Sequence, residues 1–219
     1  MKYSEIAEGL FIERPNRFIA KVRLGDDVET VHVKNTGRCK ELLIPGKSVV
    51  RLDAPGNPSR KTKYDLVSVY KDNFGWINID SQAPNKVVYE WLCRQDYDYV
   101  KPEYTFGNSR IDFYMEKQGK KYLMEVKGCI LEVDGIGYFP DAPTERGVKH
   151  VKELIKAKEQ GYECIIAFVI QMEGVYEVRP NVTMQKEFGD VMEAAGRAGV
   201  QVLFLPCRVG YDSLDIAFE

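Results

Sequence analysis

Residues 109–127 read SRIDFYMEKQGKKYLMEVK, and this stretch decides how the second half of the chain folds. Apolar and polar residues alternate over residues 109–116, and a second run with strand character covers residues 121–132. The turn-forming residues Lys117-Gln118-Gly119 separate the two runs. Alternation of this kind is typical of β-strands, and a short link that contains glycine joins antiparallel neighbours. The stretch therefore predicts a β-hairpin.

Three polar side chains of this hairpin are predicted to meet. Successive side chains of a strand point to opposite faces, so Glu125 and Lys127 share one face while Val126 points into the core. Asp112 lies between two apolar residues, and the hairpin brings it towards the other two polar groups. Two carboxylates suit Mg²⁺ or Mn²⁺, and a lysine beside the metal can position the attacking water. Asp112 and Glu125 are therefore predicted metal ligands and catalytic residues, and Lys127 is a third predicted catalytic residue.

Helices and strands are predicted around the hairpin in a definite order. Ser81 can cap a helix over residues 85–94, whose apolar residues recur at helical spacing. The other predicted elements are a strand around Tyr104, a helix capped by Thr144 and ended by Gly161, a buried strand at 164–170, a helix at about 183–198 and a strand at 201–205. The order α-β-β-β-α-β-α-β predicts one mixed domain over residues 81–219.

Residues 1–80 show a different pattern, in which short alternating stretches are separated by turn residues without a helical period. The predicted strands cover residues 18–24, 28–33, 48–52, 64–70 and 76–79. About five short strands fit a small barrel of the oligonucleotide-binding (OB) kind. The fold class is therefore two-domain α/β (α+β), with an OB-like barrel in residues 1–80.

Composition restricts the class of protein. The chain has 219 residues, of which 44% are hydrophobic and 29% charged, as in globular rather than disordered or fibrous proteins. Its five cysteines contain no C-x-x-C pair, which argues against a disulfide framework or a zinc ribbon and favours reduced thiols. No apolar run is long enough for a signal peptide or a membrane span. We therefore expect a cytoplasmic protein without a membrane partner.

The formal net charge of −2 conceals a basic zone, because residues 34–71 hold nine Lys and Arg against three Asp and Glu. Such a zone suits phosphate binding, and a solvated basic face is the alternative. Polar and cationic residues at the predicted strand edges and turns can bind phosphates without reading base sequence. The nucleic-acid contacts predicted on this basis are Arg14, Arg17, Lys34, Asn35, Arg38, Arg60, Lys61 and Lys63.

A loop rich in turn formers, residues 135–144, leads into the N-terminus of the helix that Thr144 caps. Helix N-termini attract anions, so Arg146, Lys149 and His150 in the first two turns are predicted phosphate contacts. Ordinary capping with a solvated face is the alternative. His150 lacks a Cys/His cluster around it, which favours a structural or substrate-contacting role over metal binding.

The element order, with an Asp followed by Glu-x-Lys, resembles the restriction-endonuclease-like αβββαβ core of the PD-(D/E)XK nuclease superfamily. Residues 125–127 are the only acidic-x-Lys triplet of the chain and fall on the strand where this core requires them, whereas the literal Pro140-Asp141 has no such triplet after it. The alternative is a surface ion-pair ladder. The resemblance also implies an acidic residue from the first helix, for which Glu90 is the candidate; a solvated helix residue is the alternative.

Seven segments spread over the chain form a composite pattern. They are NRF (16–18), VHV-x-NTGR (31–38), ELL-x-PG (41–46), RKT-x-Y (60–64), SRIDF (109–113), EVK (125–127) and FPDAPT-x-RG-x-KH (139–150). Together they resemble the sugar fermentation stimulation protein A (SfsA) family over nearly the whole chain. The resemblance implies an OB-like barrel joined to a PD-(D/E)XK nuclease-like domain, sequence-independent DNA binding and a regulatory role in sugar (maltose) metabolism.

These observations predict a nucleic-acid-binding protein, for DNA rather than RNA, that hydrolyses phosphodiesters with Mg²⁺ or Mn²⁺ as cofactor. The first alternative is a non-catalytic DNA-binding regulator of sugar metabolism whose nuclease-like domain is a scaffold. The second is a structural or protein-interaction module, which would show no salt-sensitive affinity for nucleic acid. The oligomeric state does not follow from the sequence.

Overall fold

The computed structural model of the chain describes residues 1–35, 37, 39–56 and 59–217, and it divides into two units. The first unit holds Met1–Ala83, and the second begins at Pro84. Two short later segments, residues 171–173 and 207–215, also belong to the first unit. A single boundary at residue 80 assigns these segments to the second domain. No helix among the described residues has the length and apolar character needed to cross a membrane.

The first unit is a closed barrel. Its strands are β1 (Ile6–Asn16), β2 (Ile19–Leu24), β3 (Asp27–Val33), β4 (Val49–Asp53), β5 (Asp65–Lys71) and β6 (Gly75–Asn78). They follow one another in the sheet as β3-β2-β1-β4-β5-β6, and an additional parallel pairing of β3 with β5 closes the first five into a ring. Closure leaves none of those five strands as an open edge. The OB-like barrel expected from the sequence is confirmed.

Strand β1 is absent from the strands predicted above, although it is central to the barrel. It pairs with β2 on one side and β4 on the other, and its register with β2 shifts between Phe11 and Glu13 and again before Asn16. These irregularities disturb the alternation by which strands are predicted. At Gly9 the strands approach so closely that a Cβ would lie 2.6 Å from Val22 Cγ1, so the position requires glycine.

The rest of the chain forms a mixed sheet with helices and a small second sheet. The elements are α1 (Ala83–Leu92), β7 (Tyr99–Phe106), β8 (Ser109–Lys117), β9 (Lys120–Cys129), β10 (Leu131–Val133), β11 (Ile136–Phe139), α2 (Glu145–Glu159), β12 (Glu163–Ile170), β13 (Val178–Pro180), α3 (Lys186–Arg197), β14 (Gln201–Val209) and β15 (Leu214–Ile216). The main sheet has the order β15-β14-β12-β9-β8-β7, and the small sheet has the order β10-β11-β13. Strands β7, β8 and β9 are antiparallel neighbours, whereas β9, β12 and β14 run parallel.

Several predicted features of this part are confirmed for local reasons. Strand β12 is buried along all but its first residue, as expected of a parallel strand covered on both faces. The Thr144 side chain accepts a hydrogen bond from the Gly147 N–H and caps α2. Gly161, with φ of +88°, follows the end of the same helix in a conformation that favours glycine.

Other predicted boundaries are wrong because side chains find different partners. Ser81 does not cap α1, because its hydroxyl donates to the Lys34 carbonyl oxygen while the Asp80 carboxylate accepts the Gln82 N–H at 2.9 Å. The strand predicted over residues 121–132 is interrupted at Ile130 and continues as β10. Strand β11 lies inside the predicted loop, and α3 begins later than predicted, at Lys186.

Candidate active site

The hairpin of β8 and β9 places two carboxylates side by side. The antiparallel register pairs Phe113 with Met124, so Asp112 and Glu125 are the next residues along the two strands. There the Asp112 carboxylate accepts the N–H of Val126 at 2.8 Å. The two acids therefore lie opposite each other on neighbouring antiparallel strands, as the hairpin predicts.

Glu125 is the most constrained side chain of the site. It is 2% exposed, and its Oε1 accepts hydrogen bonds from Lys127 Nζ at 2.5 Å and from His150. Its second oxygen, Oε2, is buried and has no hydrogen-bond partner among the described residues. A buried carboxylate oxygen without a donor is unfavourable, so it indicates a place for a cation.

His150 orients Glu125 from helix α2. The Nε–H of Arg146 donates to His150 Nε2 at 3.3 Å, so that ring nitrogen acts as an acceptor. The proton of the neutral imidazole is then on Nδ1, which donates to Glu125 Oε1. The chain of contacts from Arg146 through His150 to Glu125 fixes the carboxylate, and the phosphate contact predicted for His150 stays a prediction.

The two carboxylates differ in their pKa. Burial by itself raises the pKa of Glu125, but the hydrogen bond from His150 and the charge of Lys127 outweigh it, and the pKa lies below its ordinary value. Burial and the neighbouring charge of Glu125 raise the pKa of Asp112, against the lowering effect of the Val126 N–H. Two acids against one ammonium group leave a site that favours an added positive charge.

Helix α1 reaches this site through a residue that the sequence patterns do not single out. Asn85 donates from its side-chain amide to Asp112 Oδ1 at 2.8 Å. Glu90, the residue expected to join the acids, is exposed on the same helix. Five residues advance an α-helix by about 1.4 turns, so the two side chains lie about 140° apart around its axis. The sequence offers one signal for this contact, an Asn in the first turn of the helix. A neutral amide is a weaker indication of an active-site residue than a carboxylate, so Asn85 was not predicted.

The residues present fit a magnesium or manganese ion. Asp112 and Glu125 supply carboxylate oxygens, and one of these, Glu125 Oε2, is buried and has no donor among the residues described. No group of three or more His, Cys, Asp and Glu side chains that could hold a metal occurs within the described part of the chain. The two carboxylates of Asp112 and Glu125 are nevertheless enough for Mg²⁺, which commonly keeps several waters and binds through one or two carboxylates and substrate phosphates.

Two of the cations predicted to contact phosphate, Lys34 and Arg60, are partly buried and pair with buried carboxylates of the first unit. Lys34 is 12% exposed, and its ammonium group lies 3.2 Å from Asp65 and 3.1 Å from Asp80. Arg60 donates two hydrogen bonds to Asp65. Burial by itself raises the pKa of Asp65, but the hydrogen bond from Arg60 and the charge of Lys34 outweigh it and lower the pKa. Their charges are already neutralised, so a phosphate role for Lys34 and Arg60 is not supported.

Arg14 also has a structural role, because its guanidinium donates to three backbone carbonyl oxygens, those of Arg17, Asn35 and Gly37, at 2.6–2.7 Å. The Asn35 side chain accepts the N–H of Gly37 at 2.7 Å and so shapes the same loop. Arg38 lies outside the described residues.

Other predicted cations remain at the surface. Lys61 and Lys63 are exposed, and Lys63 Nζ lies 4.9 Å from the centre of the Tyr64 ring. The Arg17 guanidinium stacks 4.7 Å from the centre of the Phe18 ring, and Phe18 is 45% exposed. Exposed cations beside an aromatic ring can contact both phosphates and bases.

Two family models match the chain in succession. The model described as "SfsA N-terminal OB domain" matches residues 12–79, and the one described as "Sugar fermentation stimulation protein RE domain" matches residues 82–213. Their order is the order of the two units. The chain belongs to the SfsA family.

Relatives and a solved structure in the SfsA family resemble the chain over nearly its whole length. A sugar fermentation stimulation protein homolog of Desulfitobacterium hafniense is 51% identical over 218 residues, which are 98% of this chain and 95% of the relative. The homolog of Clostridium beijerinckii is 50% identical over 220 residues, with 99% and 96% covered. The solved structure of Pyrococcus furiosus SfsA in complex with Ca²⁺ matches with a TM-score of 0.87 at 26% identity, covering 99% of this chain and 95% of that one.

Proposed function

We propose that this SfsA-family protein is a metal-dependent nuclease of the PD-(D/E)XK type, which hydrolyses phosphodiester bonds in nucleic acid, DNA rather than RNA. The observation that carries the proposal is the buried Glu125 Oε2, which has no donor in the described part of the chain and lies in a site with Asp112 and Lys127. Structural ion pairs normally satisfy all their buried oxygens. The unpartnered Oε2 of Glu125 is instead what we expect of a carboxylate oxygen that binds a metal ion.

Mg²⁺ or Mn²⁺, held by Asp112 and Glu125, would supply polarisation of a phosphate oxygen and a more acidic water. The protein's own groups provide the rest. The Lys127 ammonium group can orient the attacking water and offset the negative charge that develops on the phosphate in the transition state. Asn85 and His150 hold the two carboxylates in place.

The Pyrococcus furiosus SfsA structure is of a complex with Ca²⁺, and this supports a hard-cation site in the family. Calcium takes oxygen ligands, as magnesium does. A site of this chain that carries two carboxylates therefore suits the same class of ion.

The barrel is proposed to hold the nucleic-acid backbone without reading its sequence. Arg17, Lys61 and Lys63 are the predicted cations that remain exposed there, and Phe18 offers a ring for stacking. Contacts to phosphates release counterions, so binding is expected to weaken steeply with salt. We also propose a cytoplasmic location, which the free thiols of Cys93, Cys129 and Cys164 support.

The test uses purified protein with labelled single- and double-stranded DNA and RNA, in Mg²⁺, Mn²⁺ or EDTA. Wild type is expected to cut only with metal, and Asp112→Asn is expected to lose at least about 10²-fold of the rate. Asp190→Asn is the matched control, because Asp190 is exposed on α3 in an ion pair with Lys186. Equal cutting by Asp112→Asn and the control, or no cutting by wild type with either metal, contradicts the proposal.

A second candidate is a non-catalytic DNA-binding regulator of sugar (maltose) metabolism. The exposed cations of the barrel favour it, because they belong to the first unit and do not depend on the acidic pair. Under this function, DNA affinity falls with salt and Asp112→Asn leaves every activity unchanged.

A further inference from the structure

A cavity at the start of α2 shares one residue, His150, with the candidate active site. It has a volume of about 540 Å³ and is lined by Ser109 and Arg110 at the start of β8 and by Arg146, Lys149 and His150 of α2, among others. His150 belongs both to this cavity and to the active site, because its Nδ1 donates to Glu125. We call the space lined by these five residues the α2 pocket.

The charges around the α2 pocket suit an anion. Arg110, Arg146 and Lys149 line it, against one carboxylate, that of Glu145. Arg110 forms an exposed ion pair with Glu103 at 3.3 Å, which is a weak interaction. Lys149 donates one of its three N–H groups to the carbonyl oxygen of Asn108 at 3.0 Å, which leaves two for a ligand. Thr144 already accepts the N–H groups of Gly147 and Val148. The earlier N–H groups of α2 have no acceptor within the helix, and the helix dipole adds partial positive charge.

A buried hydroxyl is a second, independent indication that the α2 pocket suits a polar ligand. Ser109 is 7% exposed and lines the α2 pocket. Its Oγ is buried and has no hydrogen-bond partner among the residues that the structure describes. Buried hydroxyl groups normally find a partner, so a ligand oxygen at this point would satisfy it.

We propose that the α2 pocket binds a phosphate group of the nucleic-acid strand, next to the phosphate that is cut. A phosphate offers several acceptor oxygens at once, which match a hydroxyl, an ammonium group, guanidinium groups and helix N–H groups. The assignment to a nucleic-acid strand rests on the proposed function. The binding of phosphate itself does not depend on it.

The consequence is that the bound phosphate would fix the position of the strand over the acids. His150 separates the pocket from Glu125 by a single side chain, so a phosphate held there aligns its neighbour with the site. The phosphate can be an internal diester or a terminal monoester. A terminal monoester would direct the protein to strand ends.

The first experiment measures thermal unfolding with inorganic phosphate, in EDTA and against chloride of equal ionic strength. Phosphate is expected to raise the Tm of wild type, because a ligand that binds only the folded state stabilises it. Ser109→Ala and Lys149→Gln should reduce that shift by more than half. Lys152→Gln is the matched control, since Lys152 lies on the same helix, paired with Glu187 rather than lining the α2 pocket.

Ser109→Ala also separates binding from folding. Without phosphate this variant should unfold at or above the Tm of wild type, because it removes a buried hydroxyl that has no partner among the described residues. The proposal is overturned if phosphate does not raise the Tm of wild type. It is also overturned if phosphate raises the Tm of wild type, Ser109→Ala and Lys149→Gln by the same amount.

The second experiment distinguishes the two sources of phosphate by binding of oligonucleotides in EDTA, so that no cutting is needed. A terminal monoester is identified if an oligonucleotide with a terminal phosphate binds at least tenfold more tightly than the same oligonucleotide without it, and if Lys149→Gln abolishes this difference. Equal affinities that Lys149→Gln weakens equally identify an internal diester. Affinities that Lys149→Gln leaves unchanged overturn the proposal, whether or not the protein cuts.

Discussion

The ion pair of Lys127 and Glu125 allows a quantitative test of the site. Their side chains are 11% and 2% exposed, so both charges are largely removed from water. Lys127→Met keeps most of the side-chain volume and deletes the ammonium group. Glu125 then remains charged and buried, next to Asp112.

Removing one partner of a buried ion pair costs about 3–5 kcal/mol of the free energy of unfolding. Here we expect the lower end, about 3 kcal/mol, because His150 still donates to the same oxygen of Glu125. Urea unfolding in EDTA measures this difference. Added Mg²⁺ should recover part of it, since a divalent cation replaces the missing positive charge, while cutting should stay at least about 10²-fold below wild type.

Lys152→Met is the matched control, because its ammonium group pairs with Glu187 at 3.0 Å while both side chains, at 55% and 59%, are exposed. An exposed pair contributes at most about 1 kcal/mol. If Lys127→Met is no less stable in EDTA than Lys152→Met, the electrostatic explanation of the site is refuted. Undiminished cutting by Lys127→Met would refute its catalytic role separately.

Three further outcomes are expected. His150→Phe should raise the metal concentration for half-maximal cutting by about 10–100-fold, with partial rescue in His150→Gln, and an unchanged midpoint would contradict its positioning role. Asp65→Asn should have a lower free energy of unfolding than wild type at neutral pH. Because the pKa of Asp65 is lowered in the folded protein, wild type loses this stability as the pH falls below about 4. The free energy of unfolding in urea should therefore depend less steeply on pH in Asp65→Asn than in wild type. Gly9→Ala should destabilise the barrel by about 1–3 kcal/mol through overpacking. Gly196→Ala in α3 should instead stabilise the protein by up to about 1 kcal/mol, because outside its own helix backbone and chain neighbours no heavy atom of the described residues lies within 4 Å of the added Cβ. Thermal unfolding of both variants measures the two effects.

The acidic site was predictable because it follows from local rules. Alternation along one strand places Glu125 and Lys127 on the same face, and a short turn brings Asp112 beside them. The structure confirms the contact between Lys127 and Glu125 and the link from Asp112 to β9. The catalytic and metal-binding roles of these residues stay predictions.

The partners of the charged residues were not predictable in the same way. Lys34 is paired with Asp65 and Asp80, which are 31 and 46 residues away in the chain. A sequence pattern does not reveal such pairs, so it predicts a surface cation where the folded protein has a partly buried lysine that is paired with two carboxylates. Asn85 escapes prediction for a similar reason, because it reaches Asp112 across 27 residues.

The sequence by itself determined the hairpin, the capped helix after Thr144, the buried strand before Gln171 and the succession of a barrel and a mixed sheet, because each depends on periodicity or turn chemistry within a few residues. Only the tertiary structure decided which cations stay exposed, which oxygens lack a donor and which late segments join the barrel. Gln171, for example, donates to Asn78 at 2.9 Å. These outcomes depend on burial and on contacts between residues distant in the chain, and so they appear only once the chain is folded.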